Sequence, residues 1–223
     1  LFERDVARTI AVVQNAGQPS DVLLDLIDYF SFRLVRHVAE HPRPEVIGFF
    51  LSLVTNAPRH GRRLLQSLVI HLPDESFELS QLSQMSEIAA NPEVRASCLE
   101  FLVQKHAHNR AVWSTISRAR RRDRDPGVRC KAVELLAKMG DGRRKVLDLI
   151  RSSVKDDCSD MVRARALAVL AKACPSGDLV FDLAMDAITN DRSAVVRECA
   201  LTLLNSRQEL SEQAMQLTIA CAK

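Results

Sequence analysis

A repeat of constant length is the feature of this sequence that most restricts its fold. The dipeptide Val-Arg recurs every 34 residues, as Val94-Arg95, Val128-Arg129, Val162-Arg163 and Val196-Arg197. The residues around the four copies align without gaps. A fixed period of this length is typical of arrays in which each unit is one supersecondary element that stacks on its neighbours. The chain of 223 residues is therefore expected to fold as a stack of similar units.

Each Val-Arg pair begins a pattern with a helical period. A small residue follows the valine by four positions, as Cys98, Ala132, Ala166 and Ala200, and a larger apolar residue comes next. Good N-cap residues precede the valine by three positions, as Asn91, Asp125, Ser159 and Ser193. Aromatic residues make up only 4% of the chain, which also favours helices over a β-sandwich or barrel. The pattern predicts one helix per unit that buries a wide face.

A second helix is predicted before each of these. Its apolar columns keep the same period, as Leu79, Trp113, Leu147 and Phe181, and as Leu82, Ile116, Ile150 and Ala184. We predict regular units at about 77–110, 111–144, 145–178 and 179–212, a truncated unit at 213–223, and divergent helical repeats at 1–76, all in one continuous solenoid. The half unit at the end and the missing initiator methionine suggest a piece of a longer protein.

An aspartate stands six residues before the arginine in three of the units, as Asp123, Asp157 and Asp191. This aspartate, followed by Val-Arg, a small residue and leucines, resembles the HEAT repeat of the armadillo-type superfamily. The resemblance is strong over residues 77–221 and weak before them. It implies an all-α fold, a right-handed α-solenoid of stacked antiparallel helix pairs. It does not by itself imply a particular function.

The repeated aspartates and arginines allow two interpretations. They could form a charged stripe for a partner, or the arginines could bind the turn aspartates of their own or the adjacent unit as a structural ladder. We favour the ladder, formed by Asp123, Asp157, Asp191, Arg95, Arg129, Arg163 and Arg197. The first unit has Ala89 in place of the aspartate, so the ladder is expected to be weaker there.

The segment from Arg118 to Lys131, here called the arginine segment, has seven basic and two acidic residues. Cations at a helix C-terminus suit the helix dipole, which is one explanation for them. The other is a site for phosphate or for an acidic peptide. The candidate binding residues of the segment are Arg118, Arg120, Arg121, Arg122, Arg124 and Lys131.

Further basic residues are predicted on the exposed side of the second helix of each unit. They are Lys138, Arg165 and Lys172, in line with Lys131, and one acid, Glu134, lies among them. The HEAT resemblance implies that this side lines the concave surface of the solenoid. A mildly basic surface suits an acidic partner, although a solvated face of mixed charge is the simpler reading.

No catalytic motif is present. The sequence has no GxxxxGK[ST], GxGxxG or GxSxG pattern, and its six cysteines lack zinc-ligand spacing. We therefore expect no enzyme activity, cofactor, metal, membrane span or small-molecule substrate, and an intracellular, reducing compartment. The predicted function is a scaffold that binds a protein partner or the rest of its parent chain. The alternatives are phosphate-backbone binding to nucleic acid through the arginine segment, and a regulatory arm beside a catalytic domain.

Overall fold

The computed structural model describes residues 62, 65–66, 79–140, 144–174 and 178–206. The regular secondary structure of the described residues between 79 and 206 is entirely α-helical. The helices described there are α1 (Leu79–Ile88), α2 (Pro92–His106), α3 (Arg110–Arg122), α4 (Pro126–Gly140), α5 (Arg144–Asp156), α6 (Asp160–Ala173), α7 (Asp178–Asn190) and α8 (Ala194–Asn205). None of these helices is long and apolar enough to cross a membrane. The predicted truncated unit and nearly all of the predicted repeats at 1–76 lie outside the described residues.

The chain divides into two compact units, Leu1–Lys105 and His106–Lys223. Within the second unit, consecutive helices pack as pairs, α3 with α4, α5 with α6, and α7 with α8. The second helix of each pair also packs on the second helix of the next, so α4 contacts α6 and α6 contacts α8. Helix α3 contacts α5 as well. The helices of this second unit thus form an α-solenoid, as the repeat predicts.

The repeated valines lie at one depth in the fold. Val94, Val128, Val162 and Val196 are each no more than 1% exposed. The small residues four positions later are fully buried, as Cys98, Ala132, Ala166 and Ala200. A small side chain at this position lets neighbouring helices approach closely, which is why the column excludes larger residues. Equal spacing in the sequence therefore corresponds to equal burial.

The first helices of the pairs carry two predicted apolar columns. One column is buried and the other is half-buried. Leu82, Ile116, Ile150 and Ala184 are at most 2% exposed. The column that contains Trp113 is only half-buried in all four described copies. Large side chains in this column cover the edge of the core, and the fully buried positions lie one residue before Trp113 and three after it, at Val112 and Ile116.

The N-cap column divides into two kinds. The side chains of Asn91 and Asp125 cap their helices, with Asn91 Oδ1 accepting from the Glu93 N–H at 2.8 Å and Asp125 Oδ1 from the Gly127 N–H at 2.8 Å. Ser159 and Ser193 occupy the cap position, but their hydroxyls make no capping hydrogen bond. The expectation of a side-chain cap is therefore wrong for the two serines. Their turns are stabilised by the preceding aspartates instead.

Gly140 marks a close approach between two consecutive helices. It is the last residue of α4, and a Cβ atom there would lie 2.0 Å from Cγ2 of Val146 in α5. No side chain fits at that distance, so glycine is required at this corner. The corner places the start of α5 directly against the end of α4.

Candidate interaction surfaces

Arg129 links two neighbouring helix pairs through the turn before α6. Its Nε and Nη2 donate to the two carboxylate oxygens of Asp157 at 2.9 and 2.8 Å, and its Nη1 donates to the backbone oxygen of Asp123 at 2.9 Å. Both side chains of the ion pair are less than 10% exposed. The Asp157 carboxylate also accepts the backbone N–H of Ser159 at 2.9 Å. One aspartate thus binds the arginine of the preceding pair and fixes its own turn.

Arg163 repeats this arrangement one unit later. It donates to Asp191 through Nε at 2.7 Å and Nη2 at 2.8 Å, and to the backbone oxygen of Asp157 through Nη1 at 2.9 Å. Asp191 in turn accepts the N–H of Ser193 at 2.8 Å. Each arginine therefore binds the aspartate 28 residues further along, which is the aspartate of the next unit. We call these two bidentate pairs the rungs.

The first and last repeat arginines share the bond to the backbone oxygen. Nη1 of Arg197 donates to the backbone oxygen of Asp191 at 2.9 Å. Nη1 of Arg95 donates to the backbone oxygen of Ala89 at 2.8 Å, and Arg95 is 1% exposed. The bond to the backbone oxygen six residues before the arginine is therefore common to all four units. The bidentate ion pair is found at Arg129 and Arg163.

The rungs also set the protonation of their members. The hydrogen bonds from Arg163 are the largest cause that holds the pKa of Asp191 below its ordinary value, and the Ser193 N–H contributes in the same direction. The pKa values of Arg129 and Arg163 are raised, above all by the hydrogen bonds to their aspartates. Charge-assisted, bidentate bonds of this kind keep Arg163 and Asp191 ionised near neutral pH.

The arginine segment does not lie on one surface. Arg118, Arg121, Arg122 and Arg124 are exposed at the end of α3 and in the turn after it, whereas Arg129 is buried in its rung. Lys131 lies on α4, 3.5 Å from a carboxylate oxygen of Glu134. The segment is thus divided between an exposed end of α3, a buried ion pair and the side of α4 that faces α6.

Arg120 is placed differently from its sequence neighbours. It is 9% exposed and lies between α3 and α5, where its Nη1 donates to the hydroxyls of Ser152 at 2.9 Å and Ser153 at 2.8 Å. Burial is the main cause that lowers its pKa. This differs from the expectation that Arg120 belongs to an exposed basic turn. Arg120 is buried because it occupies an interior position of the repeat. Val154 and Ile188, at the same position of the next two units, are also buried.

A groove of about 500 Å³ lies between the second helices α4 and α6. We call it the α4–α6 groove. It brings together three of the predicted cations and the one acid predicted among them, with small side chains between. Its lining consists of Glu134, Ala137, Lys138, Arg165, Ala168, Val169, Lys172 and Ala173.

Charge inside the α4–α6 groove is partly neutralised. Glu134 accepts from Nε of Arg165 at 2.6 Å, and Lys131 approaches the same carboxylate from the other side. Lys138 and Lys172 are exposed and lie one repeat apart near the C-terminal ends of α4 and α6. Neither lysine forms a salt bridge with any residue in the described part of the chain. Within the described chain, the groove therefore keeps two positive charges that are not in a salt bridge.

Sequence reasoning identified the cations of this groove but not the residues between them. Ala137, Ala168 and Ala173 line it with small side chains, and an alanine in a helix gives no sign in the sequence that it lines a groove. The sequence places Glu134 among these cations. Its ion pair with Arg165 depends on the distance between α4 and α6, which the sequence does not give. Among the described residues, no group of three or more histidine, cysteine or acidic side chains could hold a metal ion.

Comparison with known protein families finds a match to the family described as HEAT repeats, over residues 79–171. Comparisons with curated proteins and with solved structures find no match. The matched segment runs from α1 into α6 and contains the first three Val-Arg pairs. Arrays of this family are typically scaffolds for protein interactions. Residues 79–171 thus match the HEAT-repeat family, and this match together with the stacked helix pairs supports a HEAT-repeat protein.

Proposed function

We propose that this protein is a non-catalytic scaffold that binds an acidic segment of a protein partner in the α4–α6 groove. The observation that carries the proposal is the pair Lys138 and Lys172, two exposed cations without an ion-pair partner in the described chain, on either side of a groove floored by small residues. Complementary charge of this kind steers a partner and fixes its register.

The floor of the groove suits a protein segment. Ala137, Ala168 and Val169 leave room for an apolar side chain of the partner between the two lysines. Burial of that side chain would stabilise the complex by about 25 cal/mol per Å² of apolar area. An acidic segment with an apolar residue between its carboxylates matches both the charge and the depth of the groove.

Glu134 adds selectivity to this surface. Its carboxylate already binds Arg165, so a partner carboxylate competes with it for that arginine. The two lysines, which have no such competitor in the described chain, are the preferred contacts. A partner must therefore place its acids near the C-terminal ends of α4 and α6.

The second candidate, binding of a nucleic acid backbone, is favoured by the exposed arginines Arg121 and Arg122 at the end of α3. Phosphate contacts would make that binding strongly dependent on salt. The inward placement of Arg120 and Arg129 leaves fewer cations on that surface than the sequence suggests. We therefore rank this function second.

Two double variants with equal change of charge test the choice. Lys138→Glu with Lys172→Glu alters the groove, and Arg121→Glu with Arg122→Glu alters the end of α3. Titration of a labelled glutamate-rich peptide that contains one leucine is expected to give at least about tenfold weaker binding for the lysine variant, because like charges then meet. The arginine variant is expected to bind the peptide nearly as well as the wild type.

Duplex DNA serves as the second probe, titrated at two salt concentrations. Salt-dependent binding that only the arginine variant loses would favour the nucleic acid function. Equal loss of peptide binding in both double variants would contradict the groove as the site, because the binding would then depend on overall charge. Thermal melting of both variants verifies that the fold is unchanged.

A further inference from the structure

A second groove lies near the ends of α3 and α5, and Asp123 and Arg129 are also among its lining residues. It has a volume of about 630 Å³, and its lining includes Arg120, Arg121, Asp156 and Cys158. Arg121, Asp156 and Cys158 are exposed, whereas Arg120 is buried. The groove therefore combines an accessible thiol with charges of both signs.

Arg120 is incompletely bonded in this groove. Its Nη1 donates to the two serine hydroxyls, but its buried Nε has no hydrogen-bond partner in the described chain. A buried donor without an acceptor destabilises the fold. No carboxylate of the described residues binds the Arg120 guanidinium. The Nε itself is sealed from solvent, and the Arg120 side chain lines the groove.

Cys158 is held in a defined position beside these groups. Nη2 of Arg129 lies 3.5 Å from its sulfur, and its backbone oxygen accepts from Arg163 at 3.4 Å and from Arg192 at 3.3 Å. The side chain is exposed and is not in a disulfide. The sulfur is thus accessible, with a cationic donor next to it. Partly exposed cysteines beside arginine are typical sites of disulfide exchange.

We propose that Cys158 is a modification site that forms a mixed disulfide with a small thiol compound bearing carboxylates, which the arginines of this groove bind. Asp157, the acid nearest to the cysteine in sequence, is already paired with Arg129 and so repels such a ligand little. Asp156 remains available for an ammonium group. A peptide-like ligand with carboxylates and an ammonium therefore matches the charges of the groove.

The reaction is a thiol–disulfide exchange. The thiolate of Cys158 attacks one sulfur of a small disulfide, the disulfide bond of that compound breaks, and a bond forms between its sulfur and the Cys158 sulfur. The other half leaves as a thiolate and takes up the proton that Cys158 released. The Cys158 sulfur is oxidised and the leaving half is reduced, so no further oxidant is needed.

Other cysteines of the chain provide internal comparisons. Burial raises the pKa of the Cys98 thiol to about 12 and that of Cys130 to about 11, so neither supplies much thiolate at neutral pH. Burial also raises the pKa of Cys199. Modification that is mapped to individual peptides by mass spectrometry can therefore distinguish Cys158 from a general reaction of the protein's thiols.

The test uses glutathione disulfide as the charged probe and 2-hydroxyethyl disulfide as the neutral one. The rate of modification of Cys158 is measured with each probe on the whole chain, and the ratio of the two rates is the readout. We expect the ratio to fall by roughly two- to fivefold in Arg121→Gln, the size of an exposed charge interaction. Arg120→Gln is expected to lower it further, and Cys158→Ser is expected to abolish the modification at this peptide.

Arg124→Gln is the matched control, because it removes an exposed cation of the same segment that does not line the groove. Its ratio is expected to equal that of the wild type. The proposal is overturned if Cys158 stays unmodified while another cysteine reacts, or if the ratio is the same in the wild type and in Arg121→Gln. Since Arg121 is exposed, its replacement leaves the fold intact, and the second outcome is decisive even if Arg120→Gln fails to fold.

Discussion

The arginines of the rungs and the lysines of the α4–α6 groove carry the same charge. The arginines lie near the start of α4 and α6, and the lysines lie near the end of the same two helices. Arg129 and Arg163 are buried and bound to aspartates, whereas Lys138 and Lys172 are exposed and have no salt bridge in the described chain. The difference depends on what lies one unit further along the sequence. Each rung arginine has an aspartate 28 residues later, and the lysines have no such partner.

This comparison separates two uses of charge in the array. A cation at a repeated position with an acid in register stabilises the stacking of the helix pairs. A cation at a repeated position without one stays exposed, as Lys138 and Lys172 do. The residue type alone does not decide, since Arg165 lies on the groove and yet is bound by Glu134. This distinction between two uses of charge would be contradicted if the rung arginines could be removed without a loss in the free energy of unfolding.

The largest effect is expected for Arg163→Ala. It removes a bidentate bond and leaves Asp191, which is 11% exposed, as an uncompensated charge. Loss of one partner of a buried pair costs about 3 kcal/mol of the free energy of unfolding. Thermal and urea denaturation measure this change. Binding of the glutamate-rich peptide to the α4–α6 groove is expected to stay the same while the variant is folded.

Two controls sharpen this prediction. Arg197→Ala removes the bond to the backbone oxygen without breaking a rung, so a loss of about 1 kcal/mol is expected. Lys172→Ala removes a charge from the groove and is expected to change the stability by at most about 0.5 kcal/mol. An equal effect for all three substitutions would show that the rungs contribute no more than any surface cation.

A smaller effect is expected from acid. Because the pKa of Asp191 in the folded chain is below its ordinary value of 3.8, its contribution to stability is complete above that value and is lost as the pH falls through the lowered pKa. The stability difference between the wild type and Asp191→Asn should therefore be constant from neutral pH down to about pH 5 and should shrink below 3.8. Denaturation at a series of pH values measures it. A difference that grows in acid would contradict the rung.

The smallest effect separates the two serines at the cap positions. The Ser193 hydroxyl donates to Asp160 at 2.8 Å, which links α6 to the start of α8, while the Ser159 hydroxyl makes no capping bond. Ser193→Ala is expected to cost about 0.5–1 kcal/mol, and Ser159→Ala less. Urea denaturation of the two variants side by side gives the comparison, and a larger loss for Ser159→Ala would contradict it.

The sequence predicts the helical array well because the repeats stack in the same way. Residues that recur at a fixed interval in the sequence are therefore buried to the same degree. Val128 and Val162 align in the sequence and are equally buried in the fold. The cations at Lys138 and Lys172 could be placed on one face for the same reason. Periodicity reports the position of a residue within its unit, and that is sufficient for the fold and for the rough location of a surface.

Contacts that occur in only one unit could not be predicted in this way. Arg120 looked like a member of an exposed basic segment because its neighbours in sequence are arginines, while its equivalents, Val154 and Ile188, are buried. Its bonds to Ser152 and Ser153 depend on the packing of α3 on α5. The repeat register assigns position 120 to the interior. The arginines next to Arg120 in the sequence instead indicate an exposed segment.

The position of the Arg129–Asp157 rung determines how α4 and α6 can move apart. The rung fastens the two helices where both begin, and the Glu134–Arg165 pair joins them part of the way along. At the far ends, where Lys138 and Lys172 lie, the described chain has no salt bridge between them. The two helices are therefore expected to separate more easily at these C-terminal ends than at the rung. Such a separation would widen the α4–α6 groove for a larger ligand while the Arg129–Asp157 ion pair stays intact.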